Sequence, residues 1–377
     1  MKILHIISDW KWTGPAEPVV NLCKELQDRG HDVTLAIADV HGDNHPVLRE
    51  NAIRRGVKLF EGLHMRRRVK PATFKDVLAL KQYVKEEGFD IVHCHLTHDH
   101  ALSAFALGGN EAVKLIRTSH KGVPLKNSFG NRFMMKRTDG LITVSKIAAQ
   151  EDAKSFSISP ERMAVIQNAI DLDLFSPRTK DEKLMAELGI EPGDVVVGIV
   201  ARLQRHRRYE VFLEAMKEAS KVMPNLKAII VGRGTYAEQV AYRPVKEMGL
   251  EKTVILAGYR KDDYMDVLAL FDMKVFLVPG SDGSCRALRE LMAMGKPAIA
   301  ANRGMLTEIV EDGVDGFIID DTPQNLRDTI LKLACDETGR LEMGEKGLLK
   351  ATSSFSLSKQ GERVEVYYKL FQGKIRI

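Results

Sequence analysis

The middle of the chain reads Val195-Val196-Val197-Gly198-Ile199-Val200-Ala201, a run of β-branched and small apolar residues typical of a buried parallel strand. A basic turn and an amphipathic segment over 209–223 follow it. The same pairing repeats toward the C-terminus, which indicates βαβ units in a parallel sheet covered by helices on both faces. Further strands are predicted over 226–232, 253–258, 273–278, 297–301 and 315–319, and further helices over 262–270, 286–294 and 323–334.

The N-terminal part shows an earlier, separate series of the same kind. Strands are predicted near 2–7, 32–38, 90–96, 113–119 and 140–145, with amphipathic helices over 17–29 and 74–87. The pattern breaks in the turn-rich stretch 171–178 and the charged stretch 178–187, where we place the interdomain linker. Two doubly wound domains in succession predict a ligand cleft between the carboxyl ends of their strands.

Composition narrows the class of protein. The chain has 377 residues and a formal net charge of +5, ordinary for a soluble globular protein of about two domains. Aromatic residues make up only 6%, which disfavours a nucleic-acid-binding surface. Its four cysteines lack metal-ligand spacing, and no apolar run is long enough to span a bilayer. We therefore expect a cytoplasmic protein, with any membrane contact being peripheral.

Several polar groups follow predicted strands and are candidates for chemistry. Gly14 opens the first helix, where backbone N–H groups can approach an anion, although a simple strand-to-helix turn explains it equally well. Histidines crowd residues 93–100. Their spacing is not that of partners on one helical face, so we expect cleft-facing polar residues rather than a metal site. His120 closes another strand, and a solvent-facing loop histidine is the alternative.

Two features of the C-terminal half favour phosphate binding. Arg202 and Arg207 follow the strand 195–201 and could form a phosphate clamp, unless they are merely a solvated basic turn. Asp282 and Glu290 are eight residues apart, and a helix starting near Ser284 would offer free N–H groups to a phosphate. Glu290 would then lie nearly two turns along, in reach of ribose hydroxyls.

A basic stretch in the N-terminal half contains Arg66, Arg67 and Arg68. It suggests contact with an anionic lipid or a phosphorylated glycan. A solvated loop is an equally good interpretation.

Taken together, these positions resemble the large retaining GT-B glycosyltransferases called group 1 or family 4. The similarity spans nearly the whole chain. Its strongest part is similar to the family's P-S-x-x-E-G-F-G…E-A-M-A-x-G-x-P segment, and another part is similar to V-I-x-N-G-I-D…F-x-P. The matching residues are 278–282 through 290–297, Val165-Ile166-Gln167-Asn168-Ala169-Ile170-Asp171 with Phe175 and Pro177, Arg202-Leu203, Val231-Gly232-Arg233-Gly234, residues 139–145, residues 29–33, and Glu308-Ile309-Val310 with Gly313 and Gly316.

The resemblance implies an α/β GT-B fold of two Rossmann-like domains facing a central cleft. We assign residues 1–172 to an acceptor-side domain, 173–354 to a donor domain, and 355–377 to a C-terminal helix, over 357–371, that packs back on the first domain.

The resemblance also implies residue roles. Glu290 holds the donor ribose, Arg202 and Arg207 neutralise the diphosphate, and His120 lies near the reacting sugar. His120, Arg202 and Arg207 are thus the expected catalytic residues. The expected donor-binding residues are Gly14, Arg202, Arg207, Gly232, Tyr259, Arg260, Asp282, Gly283, Ser284, Leu288 and Glu290, and the expected acceptor-binding residues are His98, Arg66, Arg67 and Arg68.

Departures from the family pattern bear on the donor sugar and on activity. Asp282 replaces a glutamate, and Arg207 and Arg208 stand for the family's Lys and Gly. Ser284, Cys285 and Arg286 occupy the place of F-G and a small apolar residue, Ala169 replaces a glycine, and the opening glycine pair is reduced to Thr13-Gly14-Pro15.

The predicted function is a retaining transfer of a hexose-type sugar from a UDP- or GDP-sugar to a glycan, glycolipid or lipopolysaccharide-type acceptor. No metal or other cofactor is expected, because two guanidiniums and a helix terminus can supply the positive field that the leaving diphosphate needs. The alternatives are a sugar-nucleotide epimerase of the same fold and a degenerate, non-catalytic binder of nucleotide-sugars. The expected partners are the nucleotide-sugar, the acceptor and an anionic membrane surface, with no nucleic acid.

Overall fold

A computed structural model of the chain describes residues 1–39, 45–65, 71–279 and 285–373, without the side chains of residues 71 and 72. Over these residues the chain divides into two compact units. Unit 1 contains residues 1–169 and 357–373, and unit 2 contains residues 170–279 and 285–356. The chain therefore returns to unit 1 for its last helix.

Unit 1 is built on a parallel sheet with helices on both faces. The strand order is β3-β2-β1-β4-β5-β6-β7. The strands are β1 Lys2–Ile7, β2 Asp32–Ala38, β3 Lys58–Leu63, β4 Ile91–Cys94, β5 Lys114–Ser119, β6 Gly140–Thr143 and β7 Met163–Val165. The helices are α1 Ala16–Asp28, α2 Val47–Arg54, α3 Pro71–Glu87, α4 Thr97–Leu107, α5 Phe129–Met135 and α6 Lys146–Phe156, followed near the C-terminus by α15 Leu357–Phe371.

Each face of this sheet has its own hydrophobic core. Residues alternate in direction along a strand, so Ile3 and Ile7 pack on one face of β1 while Leu4 and Ile6 pack on the other. The first face is covered by α1 and α15, and the second by α3 and α4. Because both faces are buried, the strands read as continuous apolar runs, which is the pattern that made them predictable.

Helix α15 is an integral part of unit 1. Val364, Tyr367 and Tyr368 are 0–4% exposed and belong to the core beneath α1. At the surface, the Arg29 Nε atom lies 2.8 Å from Glu365 Oε2, which joins the end of α1 to α15.

Unit 2 repeats the architecture with six parallel strands in the order β10-β9-β8-β11-β12-β13. The strands are β8 Val195–Val200, β9 Leu226–Val231, β10 Val254–Gly258, β11 Met273–Phe276, β12 Ala298–Ala301 and β13 Gly316–Ile319. The helices are α7 Glu182–Glu187, α8 Tyr209–Val222, α9 Arg243–Glu247, α10 Tyr264–Ala269, α11 Arg286–Ala293, α12 Leu306–Ile309, α13 Pro323–Cys335 and α14 Glu337–Ser354.

Each sheet has one place where the strand order reverses direction. In unit 1 this is between β1 and β4, and in unit 2 it is between β8 and β11. Successive crossovers leave in opposite directions at such a point, so a crevice forms outside the carboxyl ends of the two strands. The residues that follow these four strands are therefore the first place to look for a site.

The structure contains elements that the sequence analysis did not predict, among them strands β3 and β7 and helices α7 and α14. Strands β3 and β7 were not predicted, because edge strands are partly exposed and lack a continuous apolar run. Residues 178–187, which we predicted as linker, contain helix α7. Asp181 caps that helix by accepting the amides of Lys183 and Leu184 at 2.8 and 3.1 Å. Among the described residues, no helix combines the length and apolar character needed to cross a bilayer.

Candidate functional site

Glu290, an acid among the predicted donor residues, is held firmly by its neighbours. It lies on α11 with 3% exposure. Its Oε2 accepts the Tyr264 hydroxyl at 2.8 Å, and its Oε1 accepts the Arg286 Nε–H at 2.6 Å. Burial, and then the negative charge of Glu290, raise the pKa of Tyr264, so this tyrosine stays a hydrogen-bond donor. The carboxylate is thus held in one orientation in the middle of α11.

A lysine lies beneath the same helix. Lys274 on β11 is fully buried, and its ammonium nitrogen contacts the carbonyl oxygen of Ala287 in the first turn of α11. Burial lowers its pKa to about 7, although the charge of Glu290 acts in the opposite direction. Lys274 therefore fixes the backbone that carries Glu290.

The two predicted phosphate ligands lie on the loop after β8, but in different environments. Arg202 is exposed. Arg207 is only 8% exposed, and its Nη1 donates to the carbonyls of Val278 and Pro279 at 3.0 and 3.1 Å. Since those carbonyls follow β11, Arg207 ties together the loops at the strand-order reversal of unit 2.

The predicted contacts after β9 and β10 are at the same edge of the sheet. Gly232 has φ +152°, and a Cβ there would lie 2.0 Å from the carbonyl oxygen of Ala201, so only glycine permits this close approach of two backbones. Tyr259 is exposed, with the Arg233 guanidinium carbon 4.3 Å from its ring centroid. Arg260 donates to Asp263 at 2.7 Å, which engages much of its guanidinium locally.

Other predicted donor and acceptor residues gain less support. The Leu288 side chain is fully buried in α11, and its amide donates to the Cys285 carbonyl at 3.0 Å. This makes it a core residue and does not favour a donor contact. The predictions for Asp282, Gly283, Ser284, Arg66, Arg67 and Arg68 lie outside the described residues.

In unit 1, His120 lies at the end of a row of imidazoles. The His5 Nδ1 atom lies 2.9 Å from His95 Nε2, and His95 Nδ1 lies 3.0 Å from His120 Nε2. His93 is beside the row, with its two nitrogens 2.5 Å from the Tyr368 hydroxyl and 2.7 Å from the Thr118 hydroxyl. Burial lowers the pKa of His5 to about 3 and the pKa values of His93 and His95 well below the ordinary value, so these rings are neutral near pH 7.

These histidines change the interpretation of the 93–100 cluster. His93 and His95 are 0% and 2% exposed, so they are buried beneath α1 and α15 instead of facing a cleft as predicted. The physical reason is that β4 is central and both its faces are covered. His98 is half-buried in the first turn of α4 and stays a predicted acceptor contact only. His5, which sequence reasoning missed, completes the group.

Three of these histidines are close enough together to hold a metal ion. Ring nitrogens of His5, His93 and His95 all lie within 4.8 Å of one another. However, the nitrogens are already spaced as hydrogen-bonded pairs.

A cavity of about 10 Å³, roughly the space of one water, lies beside His95 and His120 and is also lined by Asn168.

Asp99 fixes the loops at the strand-order reversal of unit 1. Its carboxylate accepts the amides of Leu96 at 2.8 Å, Ser8 at 3.1 Å and His100 at 2.7 Å. It therefore caps α4 and at the same time joins the end of β1 to the end of β4. Buried Arg117 interacts electrostatically with Asp99 and donates to the Leu96 carbonyl.

Gly14 lies in an exposed turn before α1. The first turn of that helix offers few amides to an anion, because Pro15 and Pro18 have no N–H and the Ala16 N–H donates to Thr13 at 3.0 Å. Gly14 therefore remains a predicted contact, with weak support for phosphate binding at α1.

The residues that sequence reasoning missed share a cause. His5, Tyr264 and Lys274 act through neighbours distant in the chain, and no local motif marks them. A faint signal was nonetheless present for two of them. The apolar run 2–7 contains a histidine, and the run 273–278 contains a lysine. A polar side chain in a buried strand needs a hydrogen-bond partner, so both residues could have been noticed.

Two family descriptions together cover most of the chain. Residues 13–174 match Glycosyltransferase Family 4, and residues 180–349 match Glycosyl transferases group 1. Each match falls largely on one of the two units.

Two proteins of similar sequence are glycosyltransferases. An Escherichia coli UDP-Gal:alpha-D-GlcNAc-diphosphoundecaprenol alpha-1,3-galactosyltransferase is 25% identical over 308 residues, covering 78% of this chain and 79% of that protein. A D-inositol 3-phosphate glycosyltransferase of Mycobacterium sp. strain KMS is 26% identical, covering 62% of this chain but only 56% of the relative.

Solved structures support the fold. Anabaena HepE, crystallised with UDP, superposes with a TM-score of 0.82 at 19% identity, covering 97% of this chain and 99% of that one. A glycosyltransferase from Rickettsia africae gives a TM-score of 0.84 at 18% identity, with 99% of both chains covered. Two family matches in succession, two parallel sheets and these neighbours lead to one conclusion: the chain belongs to the group 1 (family 4) glycosyltransferases and has the GT-B fold.

Proposed function

We propose that this glycosyltransferase moves a hexose-type sugar from a UDP- or GDP-sugar to a glycan or glycolipid acceptor, with retention of anomeric configuration. The donor class is suggested by the E. coli relative, whose name contains UDP-Gal, and the acceptor class by its diphosphoundecaprenol-linked acceptor. The observation that carries the proposal is the oriented carboxylate of Glu290 at the carboxyl edge of unit 2.

Glu290 is suited to bind the two hydroxyls of a ribose. A carboxylate has about four lone-pair positions. Tyr264 and Arg286 use one each, so two acceptor positions remain when the contacts of the described residues are counted. Arg286, which stands where the family pattern has a small apolar residue, adds a cation beside the proposed ribose site.

The leaving group is a nucleoside diphosphate, which gains charge as the glycosidic bond breaks. Arg202, Arg207 and the N-terminal amides of α11 are the groups we propose to stabilise that charge. The carbonyls of Val278 and Pro279 hold Arg207 in place before the ligand arrives, so little reorganisation is needed. We expect transfer without added metal.

For the transfer step, we propose that the leaving phosphate helps deprotonate the acceptor hydroxyl on the same face of the sugar. His120 contacts the reacting sugar and is not the nucleophile. The proton of the acceptor passes to a phosphate oxygen, the new bond forms to the anomeric carbon, and the old bond to the phosphate breaks. The anomeric configuration of the product, read by NMR, tests this: an inverted product would rule it out.

The binding experiment is a thermal-shift screen with UDP, GDP and their sugar conjugates, since a ligand that binds only the folded state raises Tm. We expect Glu290→Gln to weaken nucleotide binding about 10- to 100-fold, the range for a hydrogen bond to a charged group. Glu362→Gln, an exposed acid on α15, is the matched control and should bind like the wild type. Equal nucleotide affinity of the Glu290→Gln protein and the wild type would contradict the assignment.

Incubating the protein with nucleotide-sugars and candidate acceptors separates the transferase from the epimerase and from the non-catalytic binder. Release of UDP or GDP with formation of a glycosylated acceptor supports a transferase. An epimerised donor supports a sugar-nucleotide epimerase. Nucleotide binding with neither outcome, across donors and acceptors, supports a non-catalytic binder.

We further propose that unit 1 contacts an anionic membrane surface through the start of α3. Phe74 and Leu78 lie one turn apart on this helix and are 71% and 68% exposed. They follow directly after the basic stretch that contains Arg66, Arg67 and Arg68 in the sequence. Exposed apolar residues beside clustered cations are typical of an interfacial helix.

Sedimentation with vesicles of anionic lipid tests this surface. Replacing Arg66, Arg67 and Arg68 by Gln should reduce binding by about 1 kcal/mol per charge removed, and Phe74→Ser with Leu78→Ser should reduce it further. Vesicles of neutral lipid serve as the control. Unchanged sedimentation of both variants would refute the proposal.

A further inference from the structure

An open cavity of about 430 Å³ lies in unit 1 at the amino ends of its strands. Lys114 begins β5, Asp139 directly precedes β6 and Arg162 directly precedes β7, and all three line the cavity. His120 follows β5, six residues beyond Lys114, which is about 20 Å along an extended strand. The cavity is therefore separate from the site predicted at the carboxyl ends. Its volume is in the range of small-molecule sites, roughly 300–1,000 Å³.

Cations outnumber acids in the lining of this cavity by four to two. The two acids are Glu111, which is exposed, and Asp139. Asp139 is already engaged, because its Oδ2 accepts the Leu115 amide at 2.8 Å and its Oδ1 lies 3.8 Å from Lys114 Nζ. Asp139 therefore offsets mainly the charge of Lys114.

The other three cations of the lining are Lys136, Arg137 and Arg162. Within the described ranges of the chain, none of the three forms an ion pair with a carboxylate. Like charges that line one cavity repel one another, so an anion bound between them would be stabilised by all three.

Backbone carbonyls hold Arg162 in place without neutralising it. Its Nε–H donates to the Asp139 carbonyl at 3.1 Å, and an Nη2 N–H donates to the Thr138 carbonyl. The Arg162 carbonyl in turn accepts the Tyr367 hydroxyl at 2.8 Å, which fixes the backbone. A guanidinium has five N–H groups, so about three remain for a ligand when the contacts of the described residues are counted.

Arg137 connects the cavity to two aromatic rings. Its guanidinium carbon lies 3.7 Å from the centroid of the Phe133 ring, and that centroid lies 5.1 Å from the centroid of the Phe105 ring. Phe105 is 64% exposed. Phe371 adds an apolar side chain to the lining itself. The cations therefore lie beside apolar surface that can contact the carbon part of a bound anion.

We propose that this cavity binds the phosphate group of a phosphate ester, with Lys136, Arg137 and Arg162 as its cationic contacts. Guanidinium groups match the geometry of a phosphate, and a lysine adds a compact charge. Two sources offer such a group: a soluble phosphorylated molecule, and the headgroup of an anionic phospholipid that lies against Phe105 and Phe133. This site is additional to the donor and acceptor sites and does not depend on the proposed function.

The soluble source is tested by hydrogen exchange and mass spectrometry of the full-length protein with glucose 6-phosphate, and with glucose as the control. We expect glucose 6-phosphate alone to slow the exchange of amides in 107–114, 136–140 and 160–163. This protection should decrease as NaCl is added, because salt screens the charges. Protection limited to 96–100 and 118–122, which follow strands, would mean binding at the predicted acceptor site and would contradict a soluble ligand here.

The lipid source is tested by sedimentation with vesicles of phosphatidylcholine that contain phosphatidylglycerol. We expect Lys136→Gln combined with Arg137→Gln to weaken binding about 10- to 30-fold, the effect of removing two charges near an anionic surface. Arg54→Gln combined with Lys154→Gln removes two exposed charges elsewhere in unit 1. This matched control should bind like the wild type.

Arg162→Lys distinguishes a specific site from diffuse attraction between charges. The variant keeps the positive charge but loses the fork of guanidinium N–H groups. We expect it to weaken binding of the probe that binds, glucose 6-phosphate or the vesicles, by about 10-fold. Its Tm shows whether the fold is retained. If the variant does not fold, hydrogen exchange of the wild type with that probe decides whether the cavity is occupied.

Weaker binding of either probe by both the Lys136→Gln, Arg137→Gln protein and the Arg162→Lys protein supports the proposal and identifies the source. Absence of binding by both probes would overturn it. So would an Arg162→Lys protein that binds like the wild type. None of these measurements needs sugar transfer, so a failure of the proposed function would leave this site to be decided by its own tests.

Discussion

At the scale of single residues, two non-glycine residues adopt the left-handed backbone conformation at positions where the family pattern has glycine. Arg208 has φ 62° and Cys285 has φ 46°. A side chain in this region costs roughly 1–2 kcal/mol. The substitutions noted in the sequence are therefore strained, and Arg208 is held by Asp321, with its Nε 3.2 Å from Oδ2.

We expect Arg208→Gly to be more stable than Arg208→Ala by about 1 kcal/mol, because both variants lose the same contacts and only glycine relieves the backbone. Urea unfolding measures the difference. The pair Glu214→Gly and Glu214→Ala, at an exposed site inside α8, should show the opposite order. The same order at both sites would contradict the strain argument.

Lys274 should make stability depend on pH. Its pKa is lowered from 10.5 to about 7 by burial. The folded state then binds fewer protons than the unfolded state between these values, so its contribution to stability rises as pH rises toward 10. Relative to Lys274→Met, the wild type should gain about 2 kcal/mol between pH 7 and pH 9. Urea unfolding of both proteins at both pH values tests this. A constant difference would mean that Lys274 is not neutralised on folding.

At the scale of elements, the carboxyl ends of the strands are held by side chains that accept backbone amides. Asp99 joins the loop after β1 to the start of α4 in this way. His95 lies between β4 and α4, and its amide also donates to Asp99, at 3.4 Å. The geometry of the site in unit 1 therefore depends on this carboxylate.

Replacing Asp99 by Ala should destabilise unit 1 by roughly 3–5 kcal/mol, because buried amides and the charge of Arg117 lose their partner. Asp181→Ala, at the exposed cap of α7, is the matched control and should cost only about 1 kcal/mol. Chemical denaturation of the two variants provides the comparison. Similar losses would show that Asp99 acts only as an ordinary helix cap.

At the scale of the whole molecule, unit 1 is completed by the end of the chain. The Tyr368 hydroxyl lies 2.5 Å from His93 Nδ1, and the Tyr367 hydroxyl donates to the Arg162 carbonyl at 2.8 Å. Both contacts cross more than 200 residues of sequence. Unit 1 therefore cannot reach its final packing until α15 has been made.

Deleting residues 357–377 should destabilise unit 1 selectively, since at least three buried side chains worth roughly 1.5–3 kcal/mol each are lost. Hydrogen exchange followed by mass spectrometry should show lost protection in β1, β4 and β5, while β8 and β9 keep theirs. Tyr368→Phe, which removes only one hydroxyl, should have a much smaller effect. Equal loss of protection in both units would contradict this independence.

The amino-acid sequence by itself determined two parallel-sheet units and most of their elements. Buried parallel strands are continuous apolar runs, and helices repeat every 3.6 residues, so both signals are local. The family motifs, which the matches over 13–174 and 180–349 confirm, also lie within short stretches. For the same reason Glu290 and Arg207 could be named from sequence.

Only the tertiary structure decided what surrounds those residues. Tyr264 lies 26 positions from Glu290 in the chain, and Val278 lies 71 positions from Arg207. His5 lies 90 positions from His95. Their side chains meet because parallel strands bring their carboxyl ends to one edge of a sheet, whatever their order in the sequence. Burial then sets their protonation, and no local pattern records that environment.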